Sequence, residues 1–575
     1  MKRYWKYIRP YIQYYILGLC FMMMEVVGDV LLPYMLAKII NQGIAERNVV
    51  YIIKIGVIMG FIAVMMAVGG VLGAWFASKA AMNFGADLRM DLFEKIQQFS
   101  FQNIDNFSTG SLITRLTNDI TQIQNMIMMT LRMCLRSPGI LIGAMVMAFV
   151  ISPKLAAIFI IVLPVLAVLI VVIMRCAFPQ FRTLQEKLDA LNSCIQEGLV
   201  GIRLIKSFVR GDYEEMRFEK RNQQLKEANL TAMKTMLLYT PLMTLALNIT
   251  TVVVVWSGGN MIVAGNMQVG DLTAFTNYIV QIMSSLTMLS IAFLNWARAI
   301  ASFRRVGEVL DEKIDLTDEN AKHKDRAVCE GSVEFQNVSF RYYKNSPEWV
   351  IENISFKLEA GKTLGIIGPT GSGKSTLVSM IPRLYDTDEG TVLVDGINVR
   401  DYGLKPLRDG IGMVLQNNTL FSGSITENLK WGDEDADENA VRKAAQNAQA
   451  AGFIDSFKDG YRTRLEQSGN NVSGGQKQRL CIARALLKCP KILILDDSTS
   501  AVDTATERAI REALHSEYKD MTKIIIAQRI RSVMDADEIL VLDNGKTAGF
   551  GTHEQLLADC PVYREIYDVQ NGREE

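Results

Sequence analysis

The sequence predicts a multidomain membrane protein in which an all-α domain of six membrane-spanning helices is followed by an α/β domain. Six apolar stretches, each long enough to cross a bilayer, lie within residues 11–295. After residue 300 the pattern changes to short apolar strands that alternate with helices. The charge changes at the same point, because residues 1–300 contain 26 Lys and Arg against 17 Asp and Glu, whereas residues 301–575 contain 35 against 44.

The composition of the 575-residue chain excludes several classes of protein. Hydrophobic residues make up 49%, charged residues make up 21% and the mean hydropathy is +0.15, which excludes a disordered chain and argues against a purely soluble one. The acidic second half argues against nucleic acid as a partner. The eight cysteines are scattered and only three histidines are present, so we expect neither a disulfide framework nor a zinc site.

Positive charge predicts how the chain is oriented in the bilayer, since cytoplasmic segments carry an excess of Lys and Arg. With a cytoplasmic N-terminus, the inner segments up to residue 300 hold 22 Lys and Arg and the outer segments hold four. We therefore expect a multi-pass protein of the cytoplasmic (inner) membrane, with the N-terminus and the α/β domain in the cytoplasm. The predicted spans are residues 11–36, 52–76, 133–151, 155–175, 236–263 and 272–295.

The two long inner connections, 77–132 and 176–235, are predicted to be helical rather than loose loops. They are polar, contain few Pro and Gly, and keep helical spacing, so they are interpreted as continuations of the spans into the cytosol. The predicted domain boundaries are a membrane domain over 1–310, a linker over 311–330 and an α/β domain over 331–575.

A glycine-rich motif follows the buried strand KTLGIIG in the α/β domain. It has the form GxxxxGK[ST] between a strand and a helix, which is the context in which this motif specifies phosphate binding. Its glycines let backbone N–H groups surround phosphate oxygens, while Lys374 supplies a positive charge and Ser375 offers a hydroxyl to Mg²⁺. The expected cofactors are therefore ATP and Mg²⁺. The predicted nucleotide-binding residues of the motif are Gly368, Thr370, Gly371, Ser372, Gly373, Lys374, Ser375 and Thr376.

Two further segments carry nucleotide chemistry. The apolar strand KILILDD ends in carboxylates, and Asp496 at its tip is a candidate Mg²⁺ ligand, usually through water. The pentapeptide VSGGQ, residues 472–476, opens a helix and exposes backbone N–H groups and a serine, which makes a second anion site. One chain cannot easily bring both glycine-rich sites to one nucleotide, whereas two chains that pack head to tail can.

Together these motifs resemble those of an ABC exporter half-transporter, with a membrane domain fused ahead of a nucleotide-binding domain. The resemblance spans nearly all 575 residues. It implies that the signature of one subunit, here Ser473, Gly474, Gly475 and Gln476, caps the ATP that the other subunit holds.

The resemblance also implies roles for single residues outside the two glycine-rich segments. Tyr342 corresponds to the aromatic residue that stacks on adenine, and Gln416 to the glutamine that touches Mg²⁺ and the membrane domain. Asp503, in the run SAVD, corresponds to a loop that crosses the dimer interface. The short coupling helices of such exporters are expected at 104–110 and 211–217.

Two positions depart from the family pattern, and both belong to the same ATP site. Asp497 stands where the family places the Glu general base, and Gln528 stands where it places the switch His. Asp is one methylene shorter, so its carboxylate lies farther from the attacking water, and a general base contributes about 10²–10⁴-fold to the rate. Gln528 can donate a hydrogen bond to the γ-phosphate but cannot carry the charge of His. We expect a site that binds ATP well and hydrolyses it slowly, with Asp497, Gln528 and Gln416 as its catalytic residues.

This departure favours a heterodimer, since a homodimer would combine two weak ATP sites with two intact signatures. A second half-transporter with the Glu and the His would provide one competent site, capped by Ser473 and Gly475 of this chain. The interpretation is a subunit that resembles the degenerate-site subunit of heterodimeric bacterial multidrug ABC exporters and moves amphipathic small molecules. The open alternatives are a lipid or peptide translocator, a homodimeric exporter with an Asp general base, and a nucleotide-gated sensor.

Two carboxylates lie inside the first predicted span. Glu25 and Asp29 are four residues apart and therefore share one helix face. Counted from residue 11 at about 1.5 Å per residue, Glu25 lies roughly 21 Å along the helix, past the bilayer centre. Because charged groups inside a membrane face a cavity or a partner, two interpretations are open. The pair lines a substrate cavity that favours cationic amphipathic cargo, or it binds Arg132 or Arg136.

Overall fold

The computed structural model describes residues 2–344, 346–498 and 502–571, except for a few side chains within 290–298 and that of Lys2. The chain divides into two compact units, which are treated separately below. The membrane unit comprises residues 1–97 and 110–311, and the α/β unit comprises residues 98–109 and 312–575.

The membrane unit is all-α, which confirms the predicted fold class. Five of its helical segments are long and apolar enough to cross a membrane, namely α1, α2, α4, α5 and α7 as bounded below. The sixth predicted span, 272–295, lies within α8. The helices up to residue 311 are α1 (Trp5–Ile44), α2 (Val49–Gln97), α3 (Phe101–Asp105), α4 (Thr109–Ile151), α5 (Pro153–Val200), α6 (Ile202–Ser207), α7 (Gly211–Val263) and α8 (Val269–Asp311).

Small residues bring α1 and α2 close together. A Cβ atom added at Gly69 would lie 2.9 Å from the carbonyl oxygen of Phe21, and one added at Gly28 would lie 2.2 Å from Cγ of Met66. Larger side chains would therefore separate the two helices. Close backbone approach of this kind is a common basis for helix packing within membranes, where apolar burial alone gives little preference for protein over lipid.

An ion pair with a buried carboxylate joins α4 to α8 in the membrane unit. Asp119 is 2% exposed, and its Oδ2 accepts a hydrogen bond of 2.8 Å from Nε of Arg305. Ser302 donates to the other carboxylate oxygen at 2.8 Å. Because every partner is present, this charge is satisfied, and removing Arg305 would leave a buried carboxylate uncompensated.

The two short helices in the connections 77–132 and 176–235 begin earlier than the predicted segments 104–110 and 211–217. The first is α3, Phe101–Asp105 rather than 104–110, because the Ser100 side chain accepts from the backbone N–H of Asn103 and so caps the helix there. The second is α6, Ile202–Ser207. The predicted segment 211–217 instead forms the first turns of the long helix α7.

The α/β unit contains two main sheets. An antiparallel sheet has the order β2-β1-β4-β5, and a six-stranded sheet has the order β12-β11-β3-β10-β9-β6. The strands are β1 (Val333–Phe340), β2 (Ile351–Leu358), β3 (Thr363–Ile367), β4 (Glu389–Val394), β5 (Ile397–Asn398), β6 (Ile411–Val414), β7 (Gly423–Ser424), β8 (Arg464–Leu465), β9 (Ile492–Asp496), β10 (Thr522–Ile526), β11 (Glu538–Asp543) and β12 (Lys546–Gly551).

Helices flank the six-stranded sheet, which confirms the predicted α/β class. A separate apolar core, which includes Leu480 and Ile482, forms under the helix that follows the signature. The helices of this unit beyond residue 312 are α9 (Lys374–Ser379), α10 (Leu404–Asp409), α11 (Ile425–Leu429), α12 (Glu438–Asn447), α13 (Ala451–Ser456), α14 (Gly474–Leu487), α15 (Thr504–Glu517), α16 (His553–Asp559) and α17 (Pro561–Gln570).

The order of the parallel strands positions the candidate site. Strand β10 lies between β3 and β9 and is parallel to both. Ile526 of β10 pairs with Ile366 of β3 on one side and with Asp496 of β9 on the other. The segments that follow these three strands therefore meet at one edge of the sheet, where open α/β sheets bind their ligands.

Candidate nucleotide-binding site

The glycine-rich loop after β3 has the backbone that its sequence requires. Gly373 has a φ of 91°, a left-handed conformation that a larger residue rarely adopts, and α9 begins at the next residue. A Cβ atom at Gly368 would lie 2.1 Å from the carbonyl oxygen of Leu542, so that position also excludes a side chain.

The Lys374 side chain folds back over this loop. Its Nζ donates to the carbonyl oxygens of Gly368 at 2.9 Å and Pro369 at 2.7 Å, and it lies 3.5 Å from Oγ of Ser372. Burial lowers the pKa of Lys374, although the carboxylates of Asp497 and Asp496 oppose that shift. Contacts with carbonyl oxygens thus hold the ammonium group at the loop. A bound phosphate would replace them with stronger contacts.

Ser375 and Asp496 form a pair of oxygen ligands suited to Mg²⁺. Ser375 Oγ donates to Asp496 Oδ1 at 2.9 Å, and Asp496 is 4% exposed. Burial raises the pKa of Asp496, and the neighbouring Asp497 carboxylate raises it further, against the hydrogen bond from Ser375. A buried carboxylate beside a hydroxyl, with the Gln416 amide on the same cavity, matches the hard oxygen donors that Mg²⁺ prefers.

The two residues that depart from the family pattern contact each other. Gln528 Nε2 donates to Asp497 Oδ2 at 2.8 Å. Asp497 also has a φ of 47°, and its backbone N–H donates to the carbonyl oxygen of Ile526 at 3.1 Å. Burial raises the pKa of Asp497, and the hydrogen bond from Gln528 opposes this rise. One carboxylate oxygen of the candidate base is therefore engaged by a neutral donor.

A cavity of about 320 Å³ brings most of the predicted residues together. Tyr342 lies at one side of it, with its hydroxyl 2.8 Å from Oγ1 of Thr376 and its ring against Tyr385. The predicted site residues that line the cavity are Tyr342, Thr370, Gly371, Gly373, Lys374, Ser375, Thr376, Gln416, Asp496, Asp497 and Gln528.

The signature residues do not line this cavity. Ser473 is the N-cap of α14: its Oγ accepts from the backbone N–H of Gln476 at 3.3 Å, while Oε1 of Gln476 accepts from the backbone N–H of Ser473 at 2.9 Å. Ser473 and Gly474 are exposed, whereas Gly475 is half-buried. This reciprocal capping holds the serine and the first N–H groups of α14 at a surface of the α/β unit.

Asp503 likewise begins a helix away from the cavity. Its side chain accepts from the backbone N–H of Thr506 at 3.0 Å and caps α15. These hydrogen bonds from the backbone lower the pKa of Asp503. Ser500 and Ala501 of the SAVD run lie outside the described residues.

Gln570, at the end of α17, contacts the switch loop, residues 528–530, and sequence reasoning missed it. Its Nε2 donates to the carbonyl oxygen of Gln528 at 2.8 Å, and its Oε1 accepts from the backbone N–H of Ile530 at 2.8 Å. The Gln570 side-chain amide thus binds the backbone on both sides of Arg529. The sequence offered no signal, since the partners lie 40 and 42 positions away.

Tyr385 is a second contact that the sequence did not reveal. Its ring lies 5.4 Å from that of Tyr342 and 6.0 Å from that of Phe101, both between ring centroids. Its hydroxyl donates to Oδ2 of Asp105 at 2.8 Å. Within the α/β unit, one side chain therefore touches both the candidate adenine-stacking residue and helix α3.

In the membrane unit, the first-span carboxylates bind Arg136. Nη2 of Arg136 lies 2.9 Å from Oε1 of Glu25 and 2.9 Å from Oδ2 of Asp29. Of the two sequence interpretations, this geometry favours pairing, although Glu25 also lines a cavity.

Comparison with known proteins agrees with this architecture. The family "ABC transporter transmembrane region" matches residues 15–286, and the family "ABC transporter" matches residues 351–500. The chain is 39% identical over 574 residues to the uncharacterized ABC transporter ATP-binding protein YfiB of Bacillus subtilis, covering 100% of this chain and 99% of that protein. It is 33% identical to YgaD of the same organism, named provisionally as a multidrug export ATP-binding/permease protein, with 99% of both chains covered.

A solved structure shares the fold. It is a bacterial Atm1-family ABC exporter with ATP bound, and it matches with a TM-score of 0.81 and 24% identity over 97% of this chain and 98% of that chain. The predicted fusion of a membrane domain with an ATP-binding domain is thereby confirmed, and so is the predicted enzyme class. The chain belongs to the ABC transporter family: it is an exporter half-transporter whose ATPase activity is coupled to transport.

Proposed function

We propose that the chain is the degenerate-site subunit of a heterodimeric, ATP-driven exporter of amphipathic compounds in the cytoplasmic membrane. Its N-terminus and α/β unit lie in the cytoplasm. The single observation that carries this proposal is the hydrogen bond between Gln528 and Asp497.

Two features of the Asp497–Gln528 pair disfavour rapid hydrolysis. The Asp497 carboxylate is about 1.5 Å shorter in reach than a glutamate, so it lies farther from a water aligned with the γ-phosphate. Its Oδ2 also accepts a hydrogen bond from Gln528, which must be broken or shared before that oxygen accepts a proton from water. Neither residue of the pair supplies the imidazole that the family uses at the switch position.

Binding of ATP needs none of these missing groups. Lys374 and the loop N–H groups surround the phosphates, and Tyr342 offers its ring to adenine. Ser375, Asp496 and Gln416 would hold Mg²⁺, which neutralises charge on the phosphate oxygens when bound. The resulting site has a nearly complete set of residues for binding ATP. It lacks only the Glu and the His that the family uses to hydrolyse it.

The signature supports a second subunit. Ser473 and Gly474 are exposed, carry the serine and glycine that the family uses, and do not line this chain's own cavity. In the proposed pair they cap the ATP held by a partner that has the Glu and the His. Hydrolysis in that composite site resets the transporter, while this chain's site retains its nucleotide longer.

The end of the second cytoplasmic extension also supports a partner. Leu204 is 61%, Phe208 69% and Val209 88% exposed, in and directly after α6. Residue 200 ends α5 roughly 37 Å beyond the predicted span that ends at 175, so these side chains lie outside lipid. An exposed apolar cluster in water indicates a surface that another chain covers.

The test begins with the chain purified alone in liposomes. We expect ATP binding with very slow turnover by the chain alone, and Asp497→Asn should slow that residual turnover further. Adding the partner half-transporter should produce transport and fast hydrolysis that Asp497→Asn in this chain leaves nearly intact. Brisk turnover by the chain alone that Asp497→Asn abolishes would instead establish a homodimeric exporter with an Asp general base.

A further inference from the structure

The seam between α1 and α2 carries a run of aromatic side chains at one end of the predicted spans. The Tyr14 ring lies 6.1 Å from that of Phe76, and Phe76 stacks on Phe21 at 5.8 Å, both measured between ring centroids. Trp75 meets Phe76 edge-on at 4.8 Å and is 53% exposed. The run therefore presents a large indole at the surface of the membrane unit.

A lysine lies over this aromatic run. Nζ of Lys79 is 4.7 Å from the centroid of the Tyr14 ring and 5.0 Å from that of Trp75. A ring face attracts a cation within about 6 Å, so the two rings hold the ammonium group in place. An ammonium group has three N–H donors, and ring faces accept them more weakly than oxygen does. The donors are therefore available to an oxygen ligand.

The Lys79 ammonium has no carboxylate partner among the described residues, and it makes no hydrogen bond with them. The acids that follow it on α2, Asp87 and Asp91, lie eight and twelve residues away, or about 12 and 18 Å along the helix. Asp87 lies beside the Tyr11 hydroxyl, and Asp91 accepts from Lys6. These acids therefore do not compensate Lys79.

The charge of this end of α1 and α2 is positive. Residues 2–15 contain four Lys and Arg and no acid, and residues 75–95 contain three cations and three acids, so the net charge is +4. Further along α1, the first acid is Glu25, which pairs with Arg136. The surroundings of Lys79 therefore attract an anion.

The neighbouring helices add no acid at this level. Ser78, next to Lys79, donates to Sδ of Met128 on α4 at 3.7 Å, and residues 120–131 of α4 contain no charged residue. Residues 285–303 of α8 contain no Asp or Glu. The positive charge at the seam is thus not offset by α4 or α8.

Lys79 lies at the depth of lipid headgroups. The predicted span 52–76 ends three residues before it, or about 4.5 Å. The headgroup layer extends at least 5 Å or so beyond each face of the hydrocarbon core. Trp, Tyr and Lys are typical of this boundary, because their apolar bodies contact acyl chains while their polar ends reach the headgroups. The acceptors at this depth are water and lipid phosphate.

We propose that Lys79, Tyr14 and Trp75 bind an anionic phospholipid, with the ammonium group on the lipid phosphate and the indole against the acyl chains. A lipid with net negative charge is favoured over a zwitterionic one, because the seam has a positive net charge and no free acid to bind choline or ethanolamine. Binding depends neither on the proposed heterodimer nor on transport.

The experiment measures lipid binding without nucleotide. Full-length chain in neutral detergent is titrated with radiolabelled phosphatidylglycerol, which is anionic, and with radiolabelled phosphatidylcholine, which is zwitterionic. We expect phosphatidylglycerol to bind more tightly. Lys79→Gln should weaken its binding about fivefold, the contribution of one lysine near an anionic lipid, and leave phosphatidylcholine unchanged. Lys79→Arg should keep most of the affinity, since a guanidinium also stacks on rings and binds phosphate.

Lys95→Gln is the matched control. Lys95 is a half-buried lysine on the same helix, 16 residues or about 24 Å beyond Lys79. It should bind both lipids like the wild type. The proposal is wrong if Lys79→Gln, with wild-type elution and ATP binding, keeps full affinity for phosphatidylglycerol, or if Lys95→Gln loses as much. A changed oligomeric state of Lys79→Gln with unchanged lipid affinity would overturn it in favour of a protein contact.

A competition arm separates a lipid from a soluble phosphate. Glycerophosphoglycerol, the headgroup without acyl chains, is added in 100-fold excess to the phosphatidylglycerol complex. We expect little displacement, because the exposed Trp75 ring binds the apolar part of the lipid. Full displacement by the headgroup alone would show that the site recognises a soluble phosphodiester, and a lipid would then not be its occupant.

Discussion

The two surfaces of the α/β unit that handle nucleotide differ in how much of the family pattern they keep. The signature surface keeps its serine and glycines, and the Ser473–Gln476 capping box orders the start of α14. The cavity surface keeps the residues that hold phosphate but has Asp497 and Gln528 where the family has its base and its switch. In the proposed function, the binding of phosphate and its hydrolysis depend on different side chains.

The backbone gives a physical reason for Asp at the base position. Asp497 has a φ of 47°, in the left-handed region, where Asp is enriched over longer side chains. Asp therefore suits the backbone at this position, and its carboxylate has a shorter reach than that of Glu.

The largest expected effect concerns the signature surface. With the partner present, Ser473→Ala should lower hydrolysis and transport about 10²-fold, because a donor aimed at the γ-phosphate is lost. Ser424→Ala is the matched control, since Ser424 forms the same kind of capping box on α11. It should lower stability by about 1 kcal/mol and leave the rate near normal. Comparable losses in both variants, measured as ATPase rates, would show that Ser473 acts only on folding.

The second prediction concerns the cavity surface, where two substitutions restore the residues that the family has at positions 497 and 528. In the chain alone, Asp497→Glu combined with Gln528→His should raise hydrolysis about 10²-fold, since a general base contributes at least that much. Each single variant should give less, because the longer carboxylate and the imidazole act on the same water. The measurement is phosphate release in liposomes. A double variant as slow as the wild type would mean that the defect lies elsewhere in the site.

The third prediction concerns the amide that holds the switch loop. Gln570→Ala removes two hydrogen bonds, each 2.8 Å long, to the backbone of Gln528 and Ile530. Release of labelled ATP from this chain's site should accelerate about fivefold, which corresponds to roughly 1 kcal/mol. Asn571→Ala is the control, because Asn571 reaches the loop only through a 3.4 Å contact from Arg531. Equal release rates in the two variants would show that Gln570 does not help this site to retain ATP.

The smallest effect is on pH dependence. Burial raises the pKa of Asp497 above its ordinary 3.8, so the carboxylate takes up a proton at a higher pH than an exposed Asp does. Only the carboxylate can accept a proton from water, so residual hydrolysis should decline as the pH falls through that raised pKa. The pH–rate profile of the chain alone tests this. An unchanged acid limb in Asp497→Asn would assign the decline to another group.

Local patterns in the sequence predicted much of this protein. The strand, glycine-rich loop and helix around Lys374 follow from neighbouring residues, because glycine at φ 91° and the buried strand are local requirements. The long apolar helices of the membrane unit follow from hydropathy for the same reason, whereas their orientation in the bilayer stays a prediction. The start of α3 was misjudged by three residues, since it depends on a single cap, Ser100.

Contacts between distant segments could not be predicted this way. Sequence reasoning found Glu25 and Asp29 but could not choose between a cavity and an ion pair, because Arg136 approaches only when α4 packs on α1. It identified Gln528 and Asp497 as altered but not as bonded to each other. Residues such as Gln570 and Tyr385 fit no motif, so only their contacts reveal them.

The sequence by itself determined that this chain spans a membrane, binds nucleotide with a glycine-rich loop and departs from its family at two positions of one site. Those features rest on composition and on residues adjacent in the chain. Only the tertiary structure decided which side chains pair, since an ion pair or a shared hydrogen bond requires atoms within about 3 Å that may be a hundred residues apart. Arg136 binds Glu25 and Asp29 whereas Arg132 binds neither, and no spacing along the chain distinguishes the two arginines.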